Sequence, residues 1–354
     1  MRRAAKAKRQ AGVILMVVLF FTLLLTASIA SFQRQAVMDA MIVRNREDAA
    51  QAEALARGGV RIAQALLIHD RVEEEAGADA VDNHQDLWAR FKDTPIEVGG
   101  GTLQIEIRDV GSRLNINALF EFDDAGELTA KTDTMDFLVQ MLEKAIEELP
   151  VDPGIRALYE PRELAENLID WIDSDEDRVN GGSENAYYES QDPPYFAANR
   201  PMLSLEELRM IEGFDDVVVR GVSPYFTVYP FAPGGCSSRS RGCGINVNTA
   251  PAHVLSLLYF NDGVDNRLIS EDDVKRLLEA RAEEGSICAP GSSQQECTPM
   301  NEIVGNQIFP PPSFSSQLFL VEAKAQVGEI RRSVEAVVDR SKISTPRLLS
   351  WRVR

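Results

Sequence analysis

Histidine is scarce in this sequence: His69, His84 and His253 are the only three in 354 residues, far apart and without metal-ligand spacing. There is no nucleophile elbow, and Gly99-Gly100-Gly101 lacks the lysine that a phosphate-cradling loop requires. Catalysis has no residues to support it, so the chain reads as non-enzymatic. Cysteine is sparse as well. The four fall late and in two tight pairs, Cys236 with Cys243 and Cys288 with Cys297, and neither pair has the C-x-x-C spacing of a zinc or redox site. Each pair could close a short loop, although four cysteines permit three connectivities; in an oxidising compartment two local disulfides are the natural reading.

Positive charge is concentrated at one end. Arg2, Arg3, Lys6, Lys8 and Arg9 lie in the first twelve residues, and setting them aside takes the formal net charge from −18 to −23. So acidic a body repels nucleic-acid phosphates and suits cations or basic protein surfaces, or serves solubility alone. Directly after these positives, Val13 to Phe32 contains no charge at all. At ~1.5 Å rise per residue its length matches a hydrocarbon core of about 30 Å. The flanking positives keep the start of the chain in the cytoplasm and send the body outward, which in a bacterium means a single pass of the inner membrane with the body in the periplasm. A cleaved secretory signal is the competing reading, since Ala27-Ser28-Ile29-Ala30 offers a small-x-small site.

Proline is absent from Gln33 to His69, and alanine is abundant there. Ala52, Leu55, Gly59, Ile62 and Leu66 recur in steps of three and four, one stripe of a helix. With the apolar segment, residues 13–69 become one rod. Thr102 to Arg108 alternates with period two and predicts a strand, followed by a second short strand at Leu114 to Asn117. Residues 118–224 turn helical, with helices over Met135 to Leu149, Pro161 to Ile172 and Leu205 to Ile211. Strand signals return at Tyr225 to Tyr229 and Gly244 to Asn248, and a helix pair follows at Ala252 to Tyr259 and Glu271 to Ala282. The chain closes with strands at Leu318 to Ala323 and Ser333 to Val338, then a basic, unpatterned tail. The fold class is α+β: a long N-terminal helix packed on an antiparallel sheet, with a large inserted all-helical domain. The divisions are 1–12, 13–69, a sheet domain of 70–117 and 225–340, the insert at 118–224 and a tail at 341–354.

One segment is chemically loaded. From Asp173 the sequence runs Asp-Ser-Asp-Glu-Asp-Arg-Val-Asn-Gly-Gly-Ser-Glu, which places carboxylates at Asp173, Asp175 and Asp177 and a glutamate twelve positions in, at Glu184. Hard calcium ions take six to eight oxygens, and a loop so spaced could wrap one, with the Val179 carbonyl as a further ligand. Arg178 occupies the position where a strict EF-hand turns on glycine. A solvated acidic loop is the alternative. Glu189 and Asp192 lie close enough in sequence to serve a second ion.

The basic leader ending in Gly12 against an apolar helix start resembles the class III signal of type IV pilins and pseudopilins. The resemblance implies cleavage by a prepilin peptidase after Gly12 and methylation of Val13. Most of that family carries glutamate at the fifth mature position, where this chain has Val17. That departure resembles the K-type minor pseudopilin of type II secretion, as do Leu114 to Leu119, Leu168 to Asp173, Asp192 to Tyr195, Asn199 to Pro201 and Ile245 to Ala250. The family implies structural calcium in the acidic region and a place at the tip of the periplasmic pseudopilus. It also implies a part in starting pseudopilus assembly for protein export across the outer membrane. The implied partners are minor pseudopilins of the I and J types, the major pseudopilin, the prepilin peptidase and the inner membrane, with no nucleic acid. A different class is the runner-up. Residues 245–281 resemble the helix-hairpin-helix unit of a membrane-anchored DNA-uptake protein, but Asn261 to Asn266 puts two aspartates where phosphate would lie.

Overall fold

The computed structural model describes residues 2–76, 81–230, 244–261, 266–283, 285–292, 297–305, 307–342 and 346–354. One helix, α1, runs unbroken from Arg2 to Ala76, about 110 Å at ~1.5 Å per residue. It extends the predicted rod at both ends, because nothing in the alanine-rich sequence stops it. The helix is long and apolar enough to cross a membrane, and from Val13 to Arg46 every residue is exposed. Burial begins only at Asp48 and Ala49. The buried stripe is Ala52, Ala56, Gly59, Val60, Ala63 and Leu67. It is turned slightly from the predicted one: Leu55 and Leu66 flank it half-buried and Ile62 is exposed, since small residues let the helix approach the sheet more closely than large ones. Gly59 marks the closest approach. A Cβ there would stand 2.9 Å from both the Ala323 Cβ and the Leu103 Cδ1.

The sheet beneath has five antiparallel strands in chain order: β1 (Ile96–Val98), β2 (Gly101–Asp109), β3 (Leu318–Val327), β4 (Ile330–Asp339) and β5 (Arg347–Val353). Period-two alternation aims Leu103, Ile105 and Ile107 at α1. The register aligns them with Ala325, Ala323 and Val321, and these last two face Val334 and Ala336. Gly328, at φ 57°, turns β3 into β4 as the hairpin reading required. The tail read as unpatterned contains β5, whose alternation a bulge near Val337 and Val338 disguises.

Between β2 and β3 a second hydrophobic core forms. Phe137, Leu138, Met141 and Leu142 of helix Thr134–Glu147 pack with Leu164, Leu168 and Ile172 of helix Pro161–Ile172, which begins on Pro161 as a helix favours. Several expectations change here, among them the helix expected over Ala252 to Tyr259, which ends at Leu255 while Tyr259–Asn261 is a strand. The insert is not all-helical, because Phe120–Phe122 and Leu128–Ala130 pair as an antiparallel hairpin. Leu205–Met210 is a 3-10 helix. Leu114–Asn115 pairs in parallel with Phe226–Thr227, away from the main sheet, and Gly244 to Asn248 forms no strand, only a bridge from Asn246 to Ser313. The boundary at residue 225 also moves: Ile245, Val247, Val254, Leu255, Leu258, Tyr259 and Phe309 all join the core of the insert, whose apolar side chains they need for cover.

The two cores meet at a buried polar knot. Arg340, 1% exposed, donates to Asp70 of α1 at 2.5 Å, to Asp82, and to the Ser316 carbonyl at 3.1 Å, with its guanidinium 4.7 Å from the Phe319 ring centroid. Next to it, Asp109 accepts from Ser316 (2.6 Å), Thr249 (2.5 Å) and Asn246 (3.0 Å). The Ile245 to Ala250 motif therefore serves to join the two cores. Carboxylates of Asp70, Asp82 and Asp86 gather here, and the guanidinium supplies the countercharge.

Candidate functional site

The acidic loop leaves the C-terminal end of helix Pro161–Ile172, where the backbone dipole is negative and unfavourable for carboxylates. Four carboxylates nonetheless collect there. Asp170 is buried on the last turn of the helix, Asp173 caps it at 8% exposure, Glu184 is fully buried, and exposed Asp175 lies close enough for its charge to act on all three. Burial pushes Asp173 up to about 7, helped by the charges of Asp175 and Asp170. Burial likewise pushes Glu184 up to about 8, with the charges of Asp173, Asp170 and Asp175 adding. Asp170 is raised by burial despite the hydrogen bond it accepts from the Val179 amide at 3.0 Å.

Among the described residues, eight buried side-chain polar atoms have no hydrogen-bond partner, and four are oxygens of this site: Asp173 Oδ1, both Glu184 oxygens and Asn199 Oδ1. A fully buried carboxylate accepting nothing costs several kcal/mol. Asn199 belongs to the site through its backbone. Held at φ 45°, it donates from its side chain to the Asp175 carbonyl at 2.6 Å and from its amide to the Trp171 carbonyl at 3.1 Å. Packing of Trp171, Tyr188 and Tyr195, with centroids 5.3 to 6.4 Å apart, supports the returning segment. Oxygen-only acceptors, two of them buried anions lacking donors, fit a hard cation of the calcium type. Arg178 does not neutralise Glu184; it is ion-paired to Glu212.

Of the residues singled out in the sequence, Asp173, Asp175 and Glu184 lie near enough for their charges to act on one another. Asp177 does not, and Val179 meets the site by its amide, which donates to Asp170. Arg178, Gly181 and Gly182 close a tight turn, through Arg178 N–H to the Gly182 carbonyl at 2.9 Å and Gly181 N–H to the Arg178 carbonyl at 2.8 Å, which folds Asp177 against Ser183 and leaves both side chains exposed. The loop is thus a small hairpin and not a wrapped EF-hand. Glu189 and Asp192 are exposed and are not among the charges felt at Asp173 or Glu184. Asp170 and Asn199 went unrecognised. Asp170 lies one helical turn before Asp173, a spacing that puts both on one face and that the sequence carried; Asn199 had no local signal.

Cys288 and Cys297 form a disulfide with Cα atoms 5.8 Å apart. Cys236 and Cys243 lie outside the described residues, as does the centre of the proposed DNA-binding hairpin, 262–265. Gly12 and Val13 lie within α1.

Residues 112–231 match the family model of type II secretion system protein K. The type II secretion system protein K of Aeromonas hydrophila is 26% identical over 339 residues, covering 95% of this chain and 94% of its own. That of Pseudomonas aeruginosa is 25% identical over 344 residues, covering 96% and 92%, and that of Klebsiella pneumoniae is 27% identical over 278 residues, covering 78% and 77%. The crystal structure of the GspK-GspI-GspJ complex from enterotoxigenic Escherichia coli contains a chain of the same fold, with TM-score 0.57 and 20% identity, covering 88% of this chain and 99% of that one. The resemblance to the K type therefore runs over nearly the whole chain, and the α+β fold is shared.

Proposed function

We propose that this chain is a K-type minor pseudopilin that caps the periplasmic pseudopilus of a type II secretion system and helps start its assembly. One observation carries the reading: α1 is both the apolar segment able to cross the membrane and, without a break, the helix that completes the core of the head. A severed signal segment has no reason to be continuous with a structural helix. The head is anchored in the inner membrane and faces the periplasm, and prepilin peptidase cuts between Gly12 and Val13 before methylation. Val17, lacking a carboxylate, has nothing to offer the amine of a subunit above, and the second core would obstruct such a subunit, which suits the tip. The partners are I- and J-type sisters, with the major pseudopilin below.

Calcium at Asp173, Glu184 and Asn199, aided by Asp170 and Asp175, would supply the positive charge these buried oxygens lack. The residues do the rest. Asp170 holds the loop by the Val179 amide, Ser174 ties it to the Leu128 hairpin by two hydrogen bonds of 2.8 and 2.9 Å, and Asn199 brings in the returning segment. The role is structural. Deleting the gene should leave the organism's type II exoproteins in the periplasm, with export restored by the wild-type chain; export unaffected by the deletion would overturn the reading.

A further inference from the structure

The main sheet ends on β5, and among the described residues its outer edge has no partner strand. Arg354 and Ser333 exchange both backbone hydrogen bonds, at 2.9 and 3.0 Å. Antiparallel alternation then points the N–H and C=O groups of Trp351 and Val353 to the open side. The face toward α1 is also uncovered at this edge. Trp351 and Val353 stand opposite Ala336 and Val334, which are buried, yet remain 40% and 38% exposed, and Leu348 is 45% exposed. An open edge of this length with an apolar flank is a template for strand addition.

Its charge selects the occupant. Residues 347–354 carry three arginines and no acidic residue, in a chain of net charge −18. Arg57 of α1 lies 6.0 Å from the Trp351 ring centroid, its own charge paired with Glu53 at 2.6 Å. The facing acids lie one strand inward: Asp339 opposite Arg347, and Glu335 opposite Arg352 and 3.5 Å from Arg354. The outermost strand thus presents only cations. A second copy would set arginines against arginines, which like-charge cross-strand pairing disfavours, whereas an incoming strand with Asp or Glu gains opposite-charge pairs.

We propose that β5 accepts, by strand addition, an acidic β-strand of a sister minor pseudopilin, whose apolar side chains cover Leu348, Trp351 and Val353. This rests on the reading that the chain assembles with such sisters. The test uses the full chain in bilayer nanodiscs and the purified I- and J-type pseudopilins of the same organism as probes. Val353→Pro removes a donor on the open side and leaves the β4 pairing of Arg352 and Arg354 in place. The double variant Arg347→Glu/Arg352→Glu reverses charge without touching the backbone and keeps the test decisive if the proline variant does not fold. Both should weaken binding of one sister by about tenfold or more, and wild-type binding should fall as salt rises. Folded variants that bind like wild type overturn the docking site and leave the assembly reading intact, the arginines then merely guarding the edge against aggregation. Wild type that binds neither sister overturns both, and a homodimer abolished by Val353→Pro overturns the choice of occupant.

Discussion

Asp173 and Glu184 face a choice that buried carboxylates without donors cannot avoid: take up protons or take up a cation. The linkage has a definite sign. Burial raises both above the ordinary carboxylate value of about 4, to about 7 and about 8. Between those limits the metal-free folded chain holds protons that the unfolded chain has released, so its stability falls as pH rises from about 4 to about 8. Asp170 and Asp109 act in the same direction, while lowered His84 acts in the opposite one below its usual value. The difference made by calcium is therefore the diagnostic. Calcium should raise the melting temperature strongly at pH 8 and little at pH 5, and Glu184→Gln should abolish most of that increment. Identical melting of the wild type in calcium and in chelator at pH 8 would sink the site.

At the scale of elements, the contact of α1 with the sheet depends on what is missing from Gly59. Gly59→Val should destabilise the head by roughly 1–3 kcal/mol, because Ala323 is backbone-fixed and cannot yield. Gly58, a residue earlier, would place a Cβ in open space, so Gly58→Ala should stabilise by about 0.5–1 kcal/mol through helix propensity alone. Chemical denaturation midpoints of the two variants, moving in opposite directions, check the pair; movement in the same direction would contradict the packing described. Elements were most legible where one physical rule dominated: α1 from missing proline, β2 to β4 from strict alternation, and helix Pro161–Ile172 from its proline start. They were least legible where tertiary cover overrode pattern. Gly244 to Asn248 alternates like a strand, yet Asn246 is buried for its hydrogen bonds to Asp109 and Ser316. The bulge in β5 hid its period, and the acidic loop had the spacing of a wrapped calcium loop but folds on Gly181 and Gly182.

The whole molecule is a charged head built on an apolar stem. The stem was plain from the sequence, because uncharged length is a local property. The merging of Ile245, Val247, Tyr259 and Phe309 into the core of the insert was not, since it depends on contacts distant in sequence, such as Phe137 with Tyr259 and Phe309 at 5.8 Å. Likewise Arg340 binds Asp70 across 270 residues to fix stem to head. Everything proposed for assembly requires that this stem persist in the mature protein. Mass spectrometry of the mature N-terminus from purified membranes measures that directly. The account predicts a chain beginning at N-methylated Val13; a chain beginning near Ser31, recovered free of the membrane, would contradict it.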